Sequence, residues 1–471
     1  MNRQVRIFWA VLSLLLSLGP LVRADLRGQI DTIIGTQKNV EFSVHVLRAQ
    51  TGQTLYSHRA DQPMIPASNM KLVTTAAALR VLGPDFVYVT KVGLIGNTLV
   101  IIGSGDPLLG DKEAEARHGR SPGWVLQDIT ARLHQAGVAM IDHFLVDSSL
   151  FDDQRVHPNW PADELNRWYA CEVCGLNYNS NCIGMTVRNS QGRIEIELDP
   201  QTRYVKIVNQ VRPSQSGNGD VGAYRQTGMP NTLIVKGTCR KDEGPFDVAV
   251  ERPAGFFGFL LAESLGRSGI EVRGQLIERS VEPNEGFVLL AEYRTQLQEC
   301  MARCNKDSFG LAAESLLKTM AAKAIGGRNG AWVAGQQVIS SYLISLGIDS
   351  RQFVVDDGSG LSRNNRLSAS CLTRVLYSVY QGPQWPVFRD SLAVGGVDGT
   401  IKRYFTQAKY KGKILGKTGY INQVKSLSGV CTTQSGDVLF SILSNDATGN
   451  TREAINKIAQ AIVDNPLYGV D

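Results

Sequence analysis

Histidine is scarce in this 471-residue chain: there are six, and none lies beyond position 157. No serine sits in a G-x-S-x-G elbow. The two absences remove the α/β-hydrolase arrangement, in which an elbow serine is followed by a late histidine. An excess of one charge sign is also missing, with 49 basic against 44 acidic residues. A surface so close to neutral excludes the electrostatic footprint of a nucleic-acid binder. Repeats and low-complexity stretches are absent. Beyond IFWAVLSLLLSL near the N-terminus, no run is long and apolar enough to span a bilayer, which takes ~20 residues.

That apolar run is itself informative. Arg3 and Arg6 precede it and Val22-Arg23-Ala24 follow it, the layout of a secretory signal peptide over residues 1–24. An uncleaved membrane anchor is the alternative. Cleavage removes three arginines and no acidic residue, leaving 46 basic against 44 acidic side chains, a net charge of +2. The mature chain is then expected to be periplasmic, with at most peripheral membrane association. Its eight cysteines would meet an oxidising compartment, four in the middle (Cys171, Cys174, Cys182, Cys239) and four later (Cys300, Cys304, Cys371, Cys431). Export favours disulfides, and pairing within each group leaves three connectivities apiece. Cys171-x-x-Cys174 with Cys182 has loose zinc spacing, but no histidine lies close by. No metal and no cofactor are expected.

Character changes along the chain suggest an organisation. VEFSVHVLRA and TLYSHRA flank a QTGQ turn and read as a hairpin, followed by an alanine- and leucine-rich helix that opens near Ser68. Alternating strands and glycine turns dominate from about 86 to 285, interrupted by the amphipathic stretch GWVLQDITARLHQAG. Helical periodicity returns near residue 290, and KILGKTGYI, KSLSGVCTT and DVLFSILSN supply three late strands. The expected fold is α/β: a five-stranded antiparallel sheet built from both chain ends (25–85 and 286–471), with helices on both faces. Residues 86–285 would form a β-rich insertion of domain size, divided into two subdomains.

Ser68 and Lys71, in PASNMKLVTTAAALRVLG, put a hydroxyl nucleophile at a helix start and an amine three residues on, along the same face. The positive helix end favours charge developing at the hydroxyl. A lysine base must be neutral part of the time, through burial or a second cation, and Lys417 is the candidate for that cation. Ser-x-x-Lys is weak alone: Ser315-Leu-Leu-Lys318 also matches, inside a helical pattern with no start signal. A helix-capping serine beside a solvated lysine is the structural alternative. Lys417-Thr418-Gly419 lies in an apparent strand, where Thr418 can bond a substrate carboxylate and Gly419 admits close backbone approach. The N–H groups of Ser68 and Tyr420 are the candidate oxyanion donors. A phosphate loop at Gly416-Lys417-Thr418 fails on spacing, because position 411 is lysine.

With Ser308 240 residues after Ser68 and 109 before Lys417, and with the runs GSGDPLL, DGSGLSRNNRLS and GVDGTIKRYF, the chain resembles the class C, low-molecular-mass penicillin-binding D-alanyl-D-alanine carboxypeptidases and endopeptidases. The resemblance covers the whole mature chain and implies a transpeptidase/β-lactamase-like fold. It implies acylation of Ser68 by peptidoglycan stem peptides ending in D-Ala-D-Ala, with β-lactams as covalent inhibitors. It also implies a proton relay at Ser308, and Lys306 and the Ala313-Glu314 pair match the same motif. Asp163 and Trp168 match positions that in similar proteins receive the free amino end of diaminopimelate; a solvated loop aspartate and a core tryptophan are the plain alternative. Arg363 and Asn422 are weaker site candidates, and Trp160 is assigned to the core. One position departs from the family pattern: Gly310 stands where asparagine is expected. Losing that amide raises a second possibility, a peptidoglycan-binding protein of the same fold with weak or lost catalysis. A β-lactamase is less favoured, since such a compact hydrolase does not need the insertion.

Overall fold

The computed structural model describes residues 25–282 and 286–465; the signal-like segment 1–24 lies outside the described residues. Strands β1 (Glu41–Arg48), β2 (Thr54–His58), β3 (Ala393–Val394), β4 (Ile414–Ile421), β5 (Val424–Thr433) and β6 (Gly436–Asn445) form one sheet. Its order is β3-β4-β5-β6-β1-β2, and every neighbouring pair is antiparallel. The five strands expected from the two chain ends are its body, and the two-residue β3 adds a short sixth. Pairing of β1 with β6 runs from Glu41 opposite Asn445 to Arg48 opposite Val438, so the two ends of the chain are stitched side by side.

Six helices matter for the site: α1 (Leu26–Gly35), α2 (Met70–Leu82), α3 (Leu297–Lys306), α4 (Gly310–Ala324), α5 (Ala369–Tyr380) and α6 (Thr451–Asp464). Strand alternation divides the sheet's side chains between two layers. Val438, Phe440 and Ile442 of β6 face α1 and α6 with Ile30, Ile455, Ile458 and Ile462, while Leu439 and Leu443 join the core that holds α2, α4 and α5. In α2 only Arg80 and Val81 escape burial, and α4 is buried from Gly310 to Ala322. Their apolar sequences have no polar face, which is what a helix surrounded by protein requires. Both helices therefore start, rather than merely pass, at the centre of the molecule.

The chain leaves this unit after α2 and returns at Leu297, whose N–H donates to the carbonyl of Phe86 at 2.9 Å. Between these points lies a mixed five-stranded sheet in the order Leu276–Glu278, His143–Asp147, Thr98–Ile102, Val87–Ile95, Val288–Gln296. Two further three-stranded sheets occupy residues 182–249. The amphipathic stretch forms the helix Trp124–Gln135, and a second helix, Pro253–Arg267, was not legible as one; its bulky apolar residues and three glycines blur the helical period. Among the described residues no helix is long and apolar enough to cross a membrane. All eight cysteines are free and buried. Two of them, Cys171 and Cys182, are in side-chain hydrogen-bonding contact.

Candidate active site

Ser68 lies in the single 3-10 turn Ala67–Asn69 that feeds α2, after Ala67 at φ +47°. A non-glycine residue in that region is strained and persists only where its surroundings fix it. Here Asn69 does much of the fixing. With its amide oriented to satisfy every partner, its nitrogen donates to the Lys417 carbonyl (2.8 Å) and Ser426 Oγ (3.1 Å), and its oxygen accepts from Ser428. The serine turn is thereby tied directly to β4 and β5. Gly419 is required by the same closeness: a Cβ there would lie 2.8 Å from the Pro66 carbonyl and 2.1 Å from Ser426 Oγ.

Lys71, one helical turn into the protein, donates to Ser68 Oγ at 3.2 Å and to the Ser359 carbonyl at 2.7 Å. Burial pushes its amine below the ordinary lysine value, while Cys304, Asp357 and Glu314 pull it back up. Across the cleft Lys417 donates to Ser308 Oγ at 2.9 Å and to the Thr418 carbonyl at 2.8 Å. Lys417 is held well below the ordinary value, first by complete burial and then by the neighbouring Lys71. The expectation that Lys417 would depress Lys71 is thus reversed in emphasis: burial lowers Lys71, and the repulsion between the two amines falls on the fully enclosed Lys417. Ser308 sits at φ +61° in the turn between α3 and α4, so both cleft hydroxyls occupy or adjoin strained backbone. Cys304 feels the charge of both lysines, and burial pushes its thiol up to about 12, which keeps it protonated and unreactive.

The remaining sequence-derived candidates fall at defined places. Thr418 Oγ1 donates to Thr400 Oγ1 at 2.9 Å, and Tyr420 is 69% exposed just beyond it. Arg363 donates to the carbonyl of Asn422 at 2.9 Å, bringing those two together past the end of β4. Asp163 and Trp168 share an exposed loop from the insertion, with Trp168 edge-on to Tyr169 at 5.6 Å. Trp168 and Tyr169 also border a 540 Å³ cavity with Arg167, Phe246 and Asp247, on the insertion side of that loop. Trp160 is buried, as assigned, and its Nε1 donates to Asp357 at 2.9 Å. Ser315 and Lys318 are mid-helix; Lys318 is fully buried, paired with Asp152 at 2.6 Å and stacked over Trp332.

Gly310 has a local explanation. A Cβ at this position would lie 2.8 Å from the Tyr169 carbonyl, so the insertion loop occupies the space a larger residue would need. Sequence reasoning passed over Asn69, Thr400, Ser359, Arg452 and Tyr169. Thr400 and Ser359 do lie in runs that carried the family resemblance; Tyr169 has no signal, because its contribution here is a backbone carbonyl. Arg452, largely buried in α6, donates to the carbonyls of Gly419 (2.9 Å) and Ser426 (3.0 Å), bracing β4 from behind.

A hydroxyl beside a buried amine, with a second pair made of a turn hydroxyl and a strand amine nearby, is equipment for acyl transfer. The profile of the D-Ala-D-Ala carboxypeptidase 3 (S13) family matches residues 26–464. The chain belongs to that family. As an S13 member it is a serine-type D-Ala-D-Ala carboxypeptidase. The D-alanyl-D-alanine carboxypeptidase of Actinomadura sp. (strain R39) is 28% identical over 453 residues, covering 90% of this chain and 82% of that protein. D-alanyl-D-alanine carboxypeptidase DacB of Haemophilus influenzae is 23% identical over 405 residues, with 82% and 81% covered. The crystal structure of penicillin-binding protein 4 (dacB) from Haemophilus influenzae has the same fold, at a TM-score of 0.78 and 21% identity, covering 92% of this chain and 98% of that one. It has also been solved complexed with a β-lactam. A predatory peptidoglycan endopeptidase from Bdellovibrio bacteriovorus matches more distantly, at a TM-score of 0.51.

Proposed function

We propose that this S13 enzyme removes the terminal D-alanine of peptidoglycan stem peptides, and opens cross-links of the same chemistry, through an acyl-enzyme on Ser68. Neutral Lys71, 3.2 Å from Ser68 Oγ, takes the hydroxyl proton as the oxygen attacks the carbonyl of the penultimate D-alanine. The N–H groups of Ser68 and Tyr420 receive the charge that develops on the carbonyl oxygen. Ser308, bonded to Lys417, passes a proton to the leaving nitrogen, and D-alanine departs. Water then hydrolyses the ester by the reverse proton route. Lys417 and Thr418 bind the terminal carboxylate, while Asp163 and Trp168 receive the third residue of the stem, with Arg363 and Asn422 closing that side.

The observation that carries this reading is the facing of two hydroxyl–amine pairs, Ser68–Lys71 and Ser308–Lys417. Incubation with a fluorescent penicillin, followed by peptide mapping, is expected to find one covalent adduct, on Ser68. An unlabelled Ser68 in folded protein would overturn it. The reading also puts the mature chain in the periplasm, where its substrate lies, with residues 86–285 acting as the inserted unit that supplies the substrate-side loop. The alternative of lost catalysis rested on Gly310, and the Tyr169 carbonyl against it supports an adapted site instead.

A further inference from the structure

The inference here rests on the assignment of Lys71 as base. A lysine on a four-carbon stem can point its nitrogen many ways, and a base is useful only if its lone pair faces the acid it must deprotonate. In this site one N–H of Lys71 is spent on the Ser359 carbonyl at 2.7 Å, which fixes where the rest of the amine points. From the same helix Thr74 Oγ1 donates to the preceding carbonyl, that of Gly358, also at 2.7 Å. So α2 reads two successive carbonyls of the 357–360 loop.

The other edge of that loop is gripped by two carboxylates with no solvent exposure. Glu314 Oε1 accepts the Ser359 N–H at 2.7 Å, and Oε2 accepts the Gly358 N–H at 3.0 Å and Trp332 Nε1 at 2.8 Å. Asp357 Oδ1 accepts the Gly360 N–H (2.7 Å) and Asn365 Nδ2 (2.8 Å); Oδ2 accepts the Ser362 N–H (2.7 Å) and Trp160 Nε1 (2.9 Å). Placing two acids side by side in a core is a costly way to pack a loop, since apolar residues of similar volume would hold it as well or better. Burial, and after it Asp357, raise Glu314 to about 7. Such an arrangement points to a functional demand on the peptide it grips.

We propose that Glu314 and Asp357 are positioning residues whose carboxylates set the 357–360 loop so that the Ser359 carbonyl steers the Lys71 amine onto Ser68. Their carboxylates also face Lys71 and raise its proton affinity, beside the protonated Cys304 thiol from α3, while Lys417 faces it from β4. Removing one carboxylate therefore loosens the carbonyl and lowers the amine's proton affinity.

The test is the rate of Ser68 acylation by fluorescent penicillin, measured against pH for the full chain, Glu314→Gln and Asp357→Asn. Glu314→Gln keeps the volume but turns an NH2 toward one of three donors. We expect its acylation to slow about 10- to 100-fold, reversible penicillin binding to change less than the acylation rate, and the acid limb of the profile to move to lower pH. Asp357→Asn should act in the same directions. A purely structural role would lower thermal stability and leave the limb in place. Folded variants with the parent rate and an unmoved limb overturn the proposal. Should neither carboxamide variant fold, Trp332→Phe and Trp160→Phe each withdraw a single donor; parent rates and limbs in both would overturn it as well. A parent protein that takes no label on Ser68 would instead overturn the assignment of Lys71 as base.

Discussion

At the scale of single residues, the chemistry is concentrated in side chains that destabilise the protein. Lys417 is completely buried, and among the described residues its hydrogen-bond partners are a hydroxyl and a carbonyl. An ammonium enclosed without an anion is unfavourable, and its proton affinity falls for that reason. Lys417→Met, of similar length and fully apolar, is expected to raise the melting temperature by about 2 °C or more while lowering acylation by about 100-fold or more. Differential scanning calorimetry and penicillin labelling check the two halves separately. The sign with pH follows from the depressed amine. The unfolded chain binds the extra proton, so the stability penalty of Lys417 is relieved as pH rises toward the ordinary lysine value and grows as it falls. The gap between parent and Lys417→Met should therefore narrow in alkaline buffer.

At the scale of elements, the decisive contacts are between turns. The serine turn, the start of α4 and the 417–419 stretch of β4 meet because two largely buried helices begin beside that strand. Gly310 shows how tightly this is drawn. Gly310→Asn restores the residue typical of the family, yet the Tyr169 carbonyl is 2.8 Å from where its Cβ would sit. The variant is expected to lose about 1–3 kcal/mol of stability and to acylate more slowly than the parent, since the backbone of the 168–170 turn must yield. A chemical-denaturation midpoint with a labelling time course measures both. A gain in rate would show that the loop moves freely and that Gly310 is a lesion.

Legibility divides along the same line. The sheet and its central hairpins could be read because alternation and turn residues are local signals. Ser68, Lys71 and Lys417-Thr418-Gly419 stood out as candidates because acyl transfer needs those residue types at those spacings, and the structure brings Ser68 and Lys71 into contact. The Trp160–Asp357 bond joins positions 197 apart, and no local pattern announces it. Trp160 was legible as core but not as a donor. Helix Pro253–Arg267 escaped because burial on several sides erases the period that marks a helix.

At the scale of the whole molecule, residues 86–285, proposed above as the inserted unit, are fastened to the rest of the chain by a shared apolar core and by charged and polar contacts. Arg303 of α3, nearly buried, reaches Asp111 and Glu113 at 2.9 Å each, and Lys318 of α4 reaches Asp152. His157 and Trp160 bond the loop that steers Lys71. Pulling the two units apart would strand several of these groups without partners. Thermal unfolding followed by tryptophan fluorescence should coincide with the loss of backbone circular dichroism, because Trp124 and Trp168 report on residues 86–285, Trp332 and Trp385 on the remainder, and Trp160, against Trp332, on the seam between them. Two separated transitions would show that the units unfold independently.

The brace behind β4 has a consequence of its own. Arg452 offers its guanidinium only to carbonyls, Lys417 bonds a hydroxyl and a carbonyl, and Lys71 does the same; among the described residues none of the three has an ion-pair partner. The resting site is a socket of basic groups whose two amines burial holds below the ordinary lysine value, so neither carries a settled positive charge until an anion arrives. A peptide ending in a free carboxylate is the counter-ion the protein does not supply for itself, so an amidated peptide of the same sequence enters a site that stays electrically unsettled.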